Sequence, residues 1–162
     1  MFLEEDLFKT VVEHTPLIAI DLIVSRTNGN ILLGQRKNRP ARGFWFVPGG
    51  RVRKNETLDD AFHRISQTEL GVGLVRSDYV LQGIFEHFYL DNFSGDGFPT
   101  HYVGLAYPVQ IDGLTNLPKT QHSDYIWLDR EELLADKLVH ENTKAYFRNS
   151  EPLSKQDSDT KE

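Results

Sequence analysis

The segment from Phe44 to Gly71 predicts a short strand, a glycine turn and a helix in direct succession. The strand FWFV stops at Pro48, Gly49 and Gly50, and a helix is expected from Thr57 to Leu70. Thr57 and Asp60 form a capping-box pattern with Asp in place of Glu, and Gly71 is a suitable C-terminal stop. Apolar residues recur at helical spacing, namely Leu58, Ala61, Phe62 and Ile65. This strand-turn-helix unit limits the folds that are open to the chain.

Further strands are expected on both sides of this unit. The apolar runs Pro16–Ser25 and Ile31–Arg36 flank the turn signal TNGN, which predicts a hairpin. Later strands are expected at Tyr79–Tyr89, Thr100–Val109 and Tyr125–Leu128, with a surface loop at Asp91–Pro99 and helices at Glu131–Leu134 and Glu141–Phe147. We predict an α/β (α+β) fold, a mixed β-sheet sandwiched between α-helices. One domain is expected over residues 1–149, followed by a disordered polar tail at 150–162.

Composition excludes several classes of function. The 162 residues carry a net charge of -6, which argues against general binding to nucleic acid or to anionic membranes. Any phosphate site must therefore be a local cluster of arginines. The chain has no cysteine, so disulfides, thiolate nucleophiles and cysteine zinc sites are ruled out. The acidic N-terminus MFLEEDLFKT does not resemble a signal peptide and no apolar run approaches a membrane span, so we expect a cytoplasmic protein.

The stretch Gly50 to Val72, GRVRKNETLDDAFHRISQTELGV, resembles the Nudix box Gx5Ex7REUxEExGU, in which U is aliphatic. The matching positions are Gly50, Glu56, Arg64, Glu69, Gly71 and Val72. Four further segments resemble the GDP-mannose mannosyl hydrolase branch of the Nudix hydrolases: RKNRPARGFWFVPGGRV, HFYLDNFSG, HYV and TQHSDYIWL. The resemblance spans nearly the whole chain up to the last helix. It implies a Nudix fold, a nucleotide-sugar substrate and a homodimer.

The box lacks two of its carboxylates. The ordinary box has Glu at the positions of Ile65, Thr68 and Glu69, which places three carboxylates on one helix face. Glu69, one main-chain carbonyl and one amide oxygen can hold a single Mg²⁺ or Mn²⁺ ion but not several. The resemblance implies the carbonyl of Gly49, and Gln121 is the candidate amide. The alternatives are a solvated helix-end acid for Glu69 and no role for Gln121.

The missing carboxylates predict a different reaction. Fewer metal ions leave too little charge beside an attacking water, so the water needs a protein base. His122, next to Gln121, is our candidate, because an imidazole can take up a proton near neutral pH. A metal-bound nucleoside diphosphate is a good leaving group, so we expect attack at the anomeric carbon with inversion. The resemblance implies GDP-mannose as the substrate, with GDP-glucose as a further candidate, and the products are then GDP and free sugar. The alternative for His122 is a surface loop histidine.

Arg36 and Arg51 are the candidate clamps for the diphosphate, because guanidinium stays charged and binds phosphate bidentately. Tyr102 can add a hydroxyl donor, or it can be a packed aromatic residue. Asp21 interrupts an apolar strand and is either a ligand for sugar hydroxyls and Arg36 or a structural polar residue. His87 can contact the mannose or the phosphates, or be a satisfied sheet histidine. Solvent-facing roles are the alternative for the arginines.

Guanine recognition is weakly encoded. Phe2 and Phe8 can stack on a base, although N-terminal aromatic residues are more often packing groups, and Lys37 is a weaker candidate. Arg64 and Glu56 are expected to pair with each other or to orient Glu69 rather than to react.

Two other functions stay open for this sequence. A Nudix pyrophosphohydrolase would attack phosphorus and release GMP and sugar phosphate, which the reduced carboxylate set argues against. A catalytically silent nucleotide-sugar sensor would bind without turnover. Retention of Glu69, both arginines and a candidate base argues against the sensor.

Overall fold

The computed structural model describes residues 2–148 as seven strands, four α-helices and a 3₁₀ turn. The helices are α1 (Glu5–His14), α2 (Leu58–Leu70), α3 (Arg130–Ala135) and α4 (Glu141–Arg148), and the 3₁₀ turn is Arg76–Asp78. The strands are β1 (Leu17–Ser25), β2 (Ile31–Arg36), β3 (Trp45–Phe46), β4 (Gly49–Arg51), β5 (Gly83–Tyr89), β6 (Thr100–Gln110) and β7 (His122–Leu128). The tail predicted at 150–162 lies outside the described residues.

All seven strands join one mixed sheet. Its main order is β3-β2-β1-β6-β5, with β4 paired to β1 and β7 paired to β2. Strand β1 runs parallel to β6 along its whole length, whereas the other strand pairs are antiparallel. This arrangement confirms the predicted mixed sheet.

Helices cover both faces of the sheet, because successive residues of β1 present apolar side chains to opposite faces. Ile20, Leu22 and Val24 pack in one core cluster with Phe62 and Ile65 of α2. On the opposite face, Ile23 belongs to a second cluster that includes Leu133 of α3 and Tyr146 and Phe147 of α4. By the same alternation, Asp21 points to the face that carries α4. The predicted sandwich of a sheet between helices is confirmed.

Helix α2 begins and ends where the sequence predicts. The Thr57 hydroxyl donates to Asp60 Oδ2 (2.7 Å), and Thr57 Oγ1 accepts from the Asp60 backbone N–H (3.1 Å). Gly71 ends the helix in the left-handed region at φ 76°, which suits glycine. The helix is thereby fixed at both ends, with Glu69 in its last turn.

Several boundaries differ from the sequence predictions. Helix α1 is not predicted at all. Gly49 and Gly50 were expected to end a strand, yet with Arg51 they form β4, which pairs with β1 at Ala19–Asp21. Strand β7 starts at His122 rather than Tyr125, because a bulge in the pairing with β2 extends it to the pair Arg36 and His122. Strand β5 starts at Gly83 rather than Tyr79. Within residues 2–148, no helix has both the length and the apolar character needed to cross a membrane.

Candidate active site

A cavity of about 470 Å³ opens between the sheet, α1 and α2. Most of the candidate site residues line it: Phe2, Phe8, Asp21, Arg36, Gly49, Arg51, Glu69, His87, Tyr102, Gln121 and His122. These residues come from separate parts of the chain, so the fold brings together what the sequence only suggested. Their roles remain proposals.

Lys37 is the candidate that the structure does not bring to this cavity. Its side chain is exposed and its ammonium group donates to the carbonyl of Lys119. Its backbone N–H donates to the carbonyl of Gln121 (3.2 Å). The side chain of Lys37 therefore lies along the 119–121 segment and does not line the cavity.

Glu69 and His122 form a buried pair. Both residues are only 4% exposed, and His122 Nε2 lies 3.1 Å from Glu69 Oε2. The alternatives of a solvated helix-end acid and a surface loop histidine are therefore wrong. A Cβ at Gly34 would overlap the His122 ring, so the glycine in β2 makes room for the imidazole. The other ring nitrogen, Nδ1, is buried without a hydrogen-bond partner among the described residues.

The cavity offers few metal ligands. Within residues 2–148, no three His, Cys, Asp or Glu side chains are grouped so as to hold a metal ion. Ile65, at one lost carboxylate position, is 1% exposed and packs in the core. Ile65 and Thr68, which stands at the other lost position, both line the cavity. Glu69 shares the cavity wall with Gly49 and Gln121. One carboxylate with carbonyl and amide oxygens fits a single hard cation such as Mg²⁺ or Mn²⁺, and not a cluster of ions.

Asp21 is held by a residue that the sequence analysis missed. The hydroxyl of Tyr146, in α4, donates to Asp21 Oδ2. His87 Nε2 lies 2.5 Å from the same hydroxyl oxygen and 3.7 Å from Asp21 Oδ2. Asp21 and His87 line the cavity, whereas Tyr146 lies behind them. Oδ2 of Asp21 is thus engaged within the protein, and both the ligand role and the structural role of Asp21 stay predictions.

Arginines give this acidic protein a locally cationic cavity. Arg36 and Arg51 line it as expected, and so do Arg39, Arg53 and Arg64, against only two carboxylates, Asp21 and Glu69. Arg36 Nε is buried without a hydrogen-bond partner among residues 2–148, and Arg36 itself lines the cavity. Arg39 pairs with Asp96 (2.6 Å) in the 91–99 loop. Isolated arginines carry no distinctive sequence signal, which is why Arg39 and Arg53 were missed.

Arg64 and Glu56 pair as expected. Arg64 Nε donates to Glu56 Oε1 (2.6 Å) and Nη2 donates to Oε2 (2.8 Å). Arg64 Nη2 also donates to the carbonyl of Arg51 (2.8 Å), which ties α2 to β4. The hydrogen bonds from Arg64 lower the pKa of Glu56 to about 2, against the opposing effect of burial. These two box residues therefore hold the cavity wall together.

Tyr102 contributes a hydroxyl to the cavity. Burial raises the pKa of this hydroxyl, an effect that nearby Arg36 and Arg51 partly oppose. The group stays protonated at neutral pH and can donate a hydrogen bond.

The N-terminal aromatic residues form part of the cavity wall. The ring of Phe8 lies 4.8 Å from that of Phe93 in the 91–99 loop, and the Arg51 guanidinium lies 4.6 Å from the Phe8 ring. Phe2 is 83% exposed, with the Arg53 guanidinium 4.5 Å from its ring. Phe93 was not singled out from the sequence, because it stands in a loop without regular spacing.

Known proteins of related sequence and structure match most of the chain. A family model described as NUDIX domain matches residues 15–148. The low-salt glycan biosynthesis protein Agl8 of Haloferax volcanii is 44% identical, covering 74% of each chain. An ADP-ribose pyrophosphatase of Methanocaldococcus jannaschii is 28% identical, covering 86% of this chain and 83% of that protein.

Solved structures share the same fold. A MutT protein from Methanosarcina mazei Go1 matches with a TM-score of 0.66 at 19% identity, over 83% of this chain and 92% of that one. A MutT NUDIX hydrolase from Burkholderia pseudomallei matches with a TM-score of 0.65 at 25% identity, over 83% and 97%. The predicted arrangement of a mixed sheet with flanking helices is the one found in these structures.

Proposed function

Because the chain belongs to the Nudix hydrolase family, we propose that it hydrolyses GDP-mannose, or GDP-glucose, to GDP and the free sugar. Water attacks the anomeric carbon, and the configuration there is inverted. The reaction uses one Mg²⁺ ion, with Mn²⁺ as the possible replacement. The 44% identical relative named for glycan biosynthesis supports a substrate that carries a sugar.

The reduced carboxylate set carries this proposal. Attack on phosphorus in this family depends on several acidic side chains beside the water, and here Ile65 and Thr68 stand at two of those positions. Within residues 2–148, no other group of acidic and imidazole side chains replaces them. Breaking the bond between carbon and the diphosphate demands less of the metal, because positive charge placed beside the anionic leaving group is enough to stabilise it.

The arginines stabilise the leaving group in this mechanism. Arg36, with its unpartnered buried Nε, and Arg51, beside the glycine pair, bind the diphosphate, and the hydroxyl of Tyr102 donates to it. Glu69, the Gly49 carbonyl and the Gln121 amide would hold the Mg²⁺ ion, which supplies positive charge to the departing diphosphate. Phe2 and Phe8 bind the guanine, and Asp21 and His87 contact the sugar.

His122 is the proposed base. Its Nε2 faces Glu69, so His122 must give up this hydrogen bond before Nε2 can take a proton from water. His122→Ala should therefore lower kcat at saturating Mg²⁺. A variant that regains full kcat when Mg²⁺ is raised would show instead that His122 only holds Glu69 in place.

The first experiment is product analysis after incubation with GDP-mannose and Mg²⁺ in ¹⁸O-labelled water, with the sugar anomer followed by NMR. We expect label in free mannose and the β-anomer first. Label in GMP or mannose phosphate would establish attack on phosphorus, the reaction class indicated by the name of the ADP-ribose pyrophosphatase relative. Binding without product would indicate a sensor.

We also propose a homodimer. Three large apolar residues are exposed along and after strand β5 at the sheet edge: Ile84 (65%), Phe88 (63%) and Leu90 (96%). Exposed apolar groups at an unpaired strand edge favour association. Light scattering on the purified protein would test this, and a monomer at micromolar concentration would refute it.

A further inference from the structure

We infer that Tyr146 is a positioning residue whose hydroxyl holds the Asp21 carboxylate and the His87 imidazole in one hydrogen-bonded chain behind the cavity. Its catalytic meaning rests on the proposed function, since Asp21 and His87 are the residues assigned there to the sugar. Tyr146 itself does not line the cavity and touches no substrate.

The Asp21 carboxylate sits in a cradle formed by two glycines. A Cβ at Gly49 would overlap Asp21 Oδ1, and a Cβ at Gly104 would lie 3.1 Å from Asp21 Oδ2. These glycines belong to β4 and β6, the strands on either side of β1. The carboxylate therefore occupies space that side chains from both neighbouring strands would otherwise fill.

Counting protons gives the direction of each hydrogen bond in the chain. A carboxylate has no proton to give, so the single proton of the Tyr146 hydroxyl goes to Asp21 Oδ2. The 2.5 Å contact between Tyr146 Oη and His87 Nε2 then requires a proton on Nε2. Burial, and then the charge of Asp21, raise the pKa of Tyr146, so the hydroxyl keeps its proton.

Burial favours the same tautomer of His87. The residue is 5% exposed, and its Nδ1 has no hydrogen-bond partner among residues 2–148. A buried N–H without an acceptor costs free energy, so a neutral His87 is expected to carry its proton on Nε2, where the N–H donates to the Tyr146 hydroxyl oxygen.

The consequence is an oriented carboxylate. With Oδ2 bound to Tyr146, Oδ1 is the oxygen that lies beside Gly49, a residue of the cavity wall. Helix α4 thus determines which oxygen of Asp21 is left for a ligand. The Tyr146 ring packs edge-on against Phe85 at 4.6 Å, so a phenylalanine at position 146 would keep the packing and lose only the hydroxyl.

The test compares Tyr146→Phe with Tyr107→Phe. Tyr107 is a matched control, because it is equally buried at 3% and its hydroxyl accepts from Arg76 Nη1 (3.2 Å) away from the cavity. On GDP-mannose with Mg²⁺, Tyr146→Phe should lower kcat/KM by about 10- to 100-fold, as loss of an orienting partner typically does. Tyr107→Phe should match the wild type.

Two measurements separate positioning from general damage. In the Asp21→Asn background, Tyr146→Phe should cause a smaller additional loss than in the wild type, because part of its effect acts through Asp21 and the rest through His87. In ¹⁵N NMR of histidine-labelled wild-type protein, His87 should show the Nε2–H tautomer, and Tyr146→Phe should shift that signal while Tyr107→Phe does not.

Three results would overturn the inference. They are wild-type kcat/KM in Tyr146→Phe, additive losses with Asp21→Asn, and an Nδ1–H tautomer of His87 in the wild type. The tautomer measurement on the wild-type protein requires neither turnover nor a variant that folds. If the wild type fails to cleave GDP-mannose while His87 shows the expected tautomer, the proposed function fails and the hydrogen-bonded chain stands.

Discussion

The Glu56 carboxylate gives the sharpest stability prediction. Its pKa falls from the usual 4.5 to about 2, chiefly through the hydrogen bonds from Arg64. By linkage, this shift corresponds to at most about 3 kcal/mol of stability. The two side chains are 13% and 26% exposed, so solvent screening should reduce the contribution to about 1–2 kcal/mol.

Glu56→Gln isolates this charge, because the amide keeps the shape of the carboxylate but does not titrate. A carboxyl group with a lowered folded-state pKa stabilises the protein above the unfolded-state pKa. That stability is lost as pH falls through the folded-state pKa. The variant should therefore be about 1–2 kcal/mol less stable than the wild type at pH 7, and the gap should narrow below pH 4.5 towards pH 2.

Urea unfolding at pH 7, 5 and 3.5 measures this gap. Glu86→Gln is the control, because Glu86 is exposed on β5 and lies outside the Glu56–Arg64 pair. A difference between Glu56→Gln and wild type that is absent at pH 7, or constant across all three pH values, would refute the assignment of the lowered pKa to this ion pair.

The remaining predictions concern the cavity. Glu69→Gln should raise the Mg²⁺ concentration needed for half-maximal turnover about 10- to 100-fold, measured by metal titration, and an unchanged titration would remove Glu69 from the site. Arg36→Ala should lower kcat/KM about 10²- to 10³-fold. Arg42→Ala is the control and should keep the wild-type kcat/KM, because Arg42 is exposed and does not line the cavity. Equal kcat/KM values for the two variants would refute the assignment of Arg36 to the diphosphate. Gly49→Ala should lower the free energy of unfolding by about 1–3 kcal/mol, measured by thermal unfolding, because the added Cβ would overlap Asp21 Oδ1. A Cβ at Gly97 would meet no atom within 4 Å. Gly97→Ala should therefore keep wild-type stability, and equal stability of both variants would contradict the cradle.

Local sequence patterns were enough to predict the helix of the box segment. Thr57, Asp60 and Gly71 act on backbone groups within a few positions of themselves, so their pattern fixed the ends of α2. Helix α1 was missed because its N-cap, Glu4, makes no side-chain capping bond. Packing against the rest of the protein, through the buried Val12 and the contact of Phe8 with Phe93, stabilises this segment.

Contacts between distant residues set the rest of the site. Glu69 and His122 are 53 positions apart, and Tyr146 and Asp21 are 125 apart. Resemblance suggested the first pair as neighbouring site residues, although not their direct hydrogen bond. The contact between Tyr146 and Asp21 could not be predicted from the sequence, because a tyrosine on an amphipathic helix is ordinarily a core residue. In addition, the direction of Asp21 towards α4 depends on the alternation of side chains along β1.

The position of the first ten residues has a practical consequence for every assay above. Phe2, Leu3 and Phe8 form part of the cavity wall, so a purification tag fused ahead of them would lie beside the cavity proposed to bind the substrate. Such a tag can obstruct binding or supply histidines that capture the metal ion. Kinetic and metal measurements should therefore use protein tagged at the other end of the chain, or protein from which an N-terminal tag has been removed.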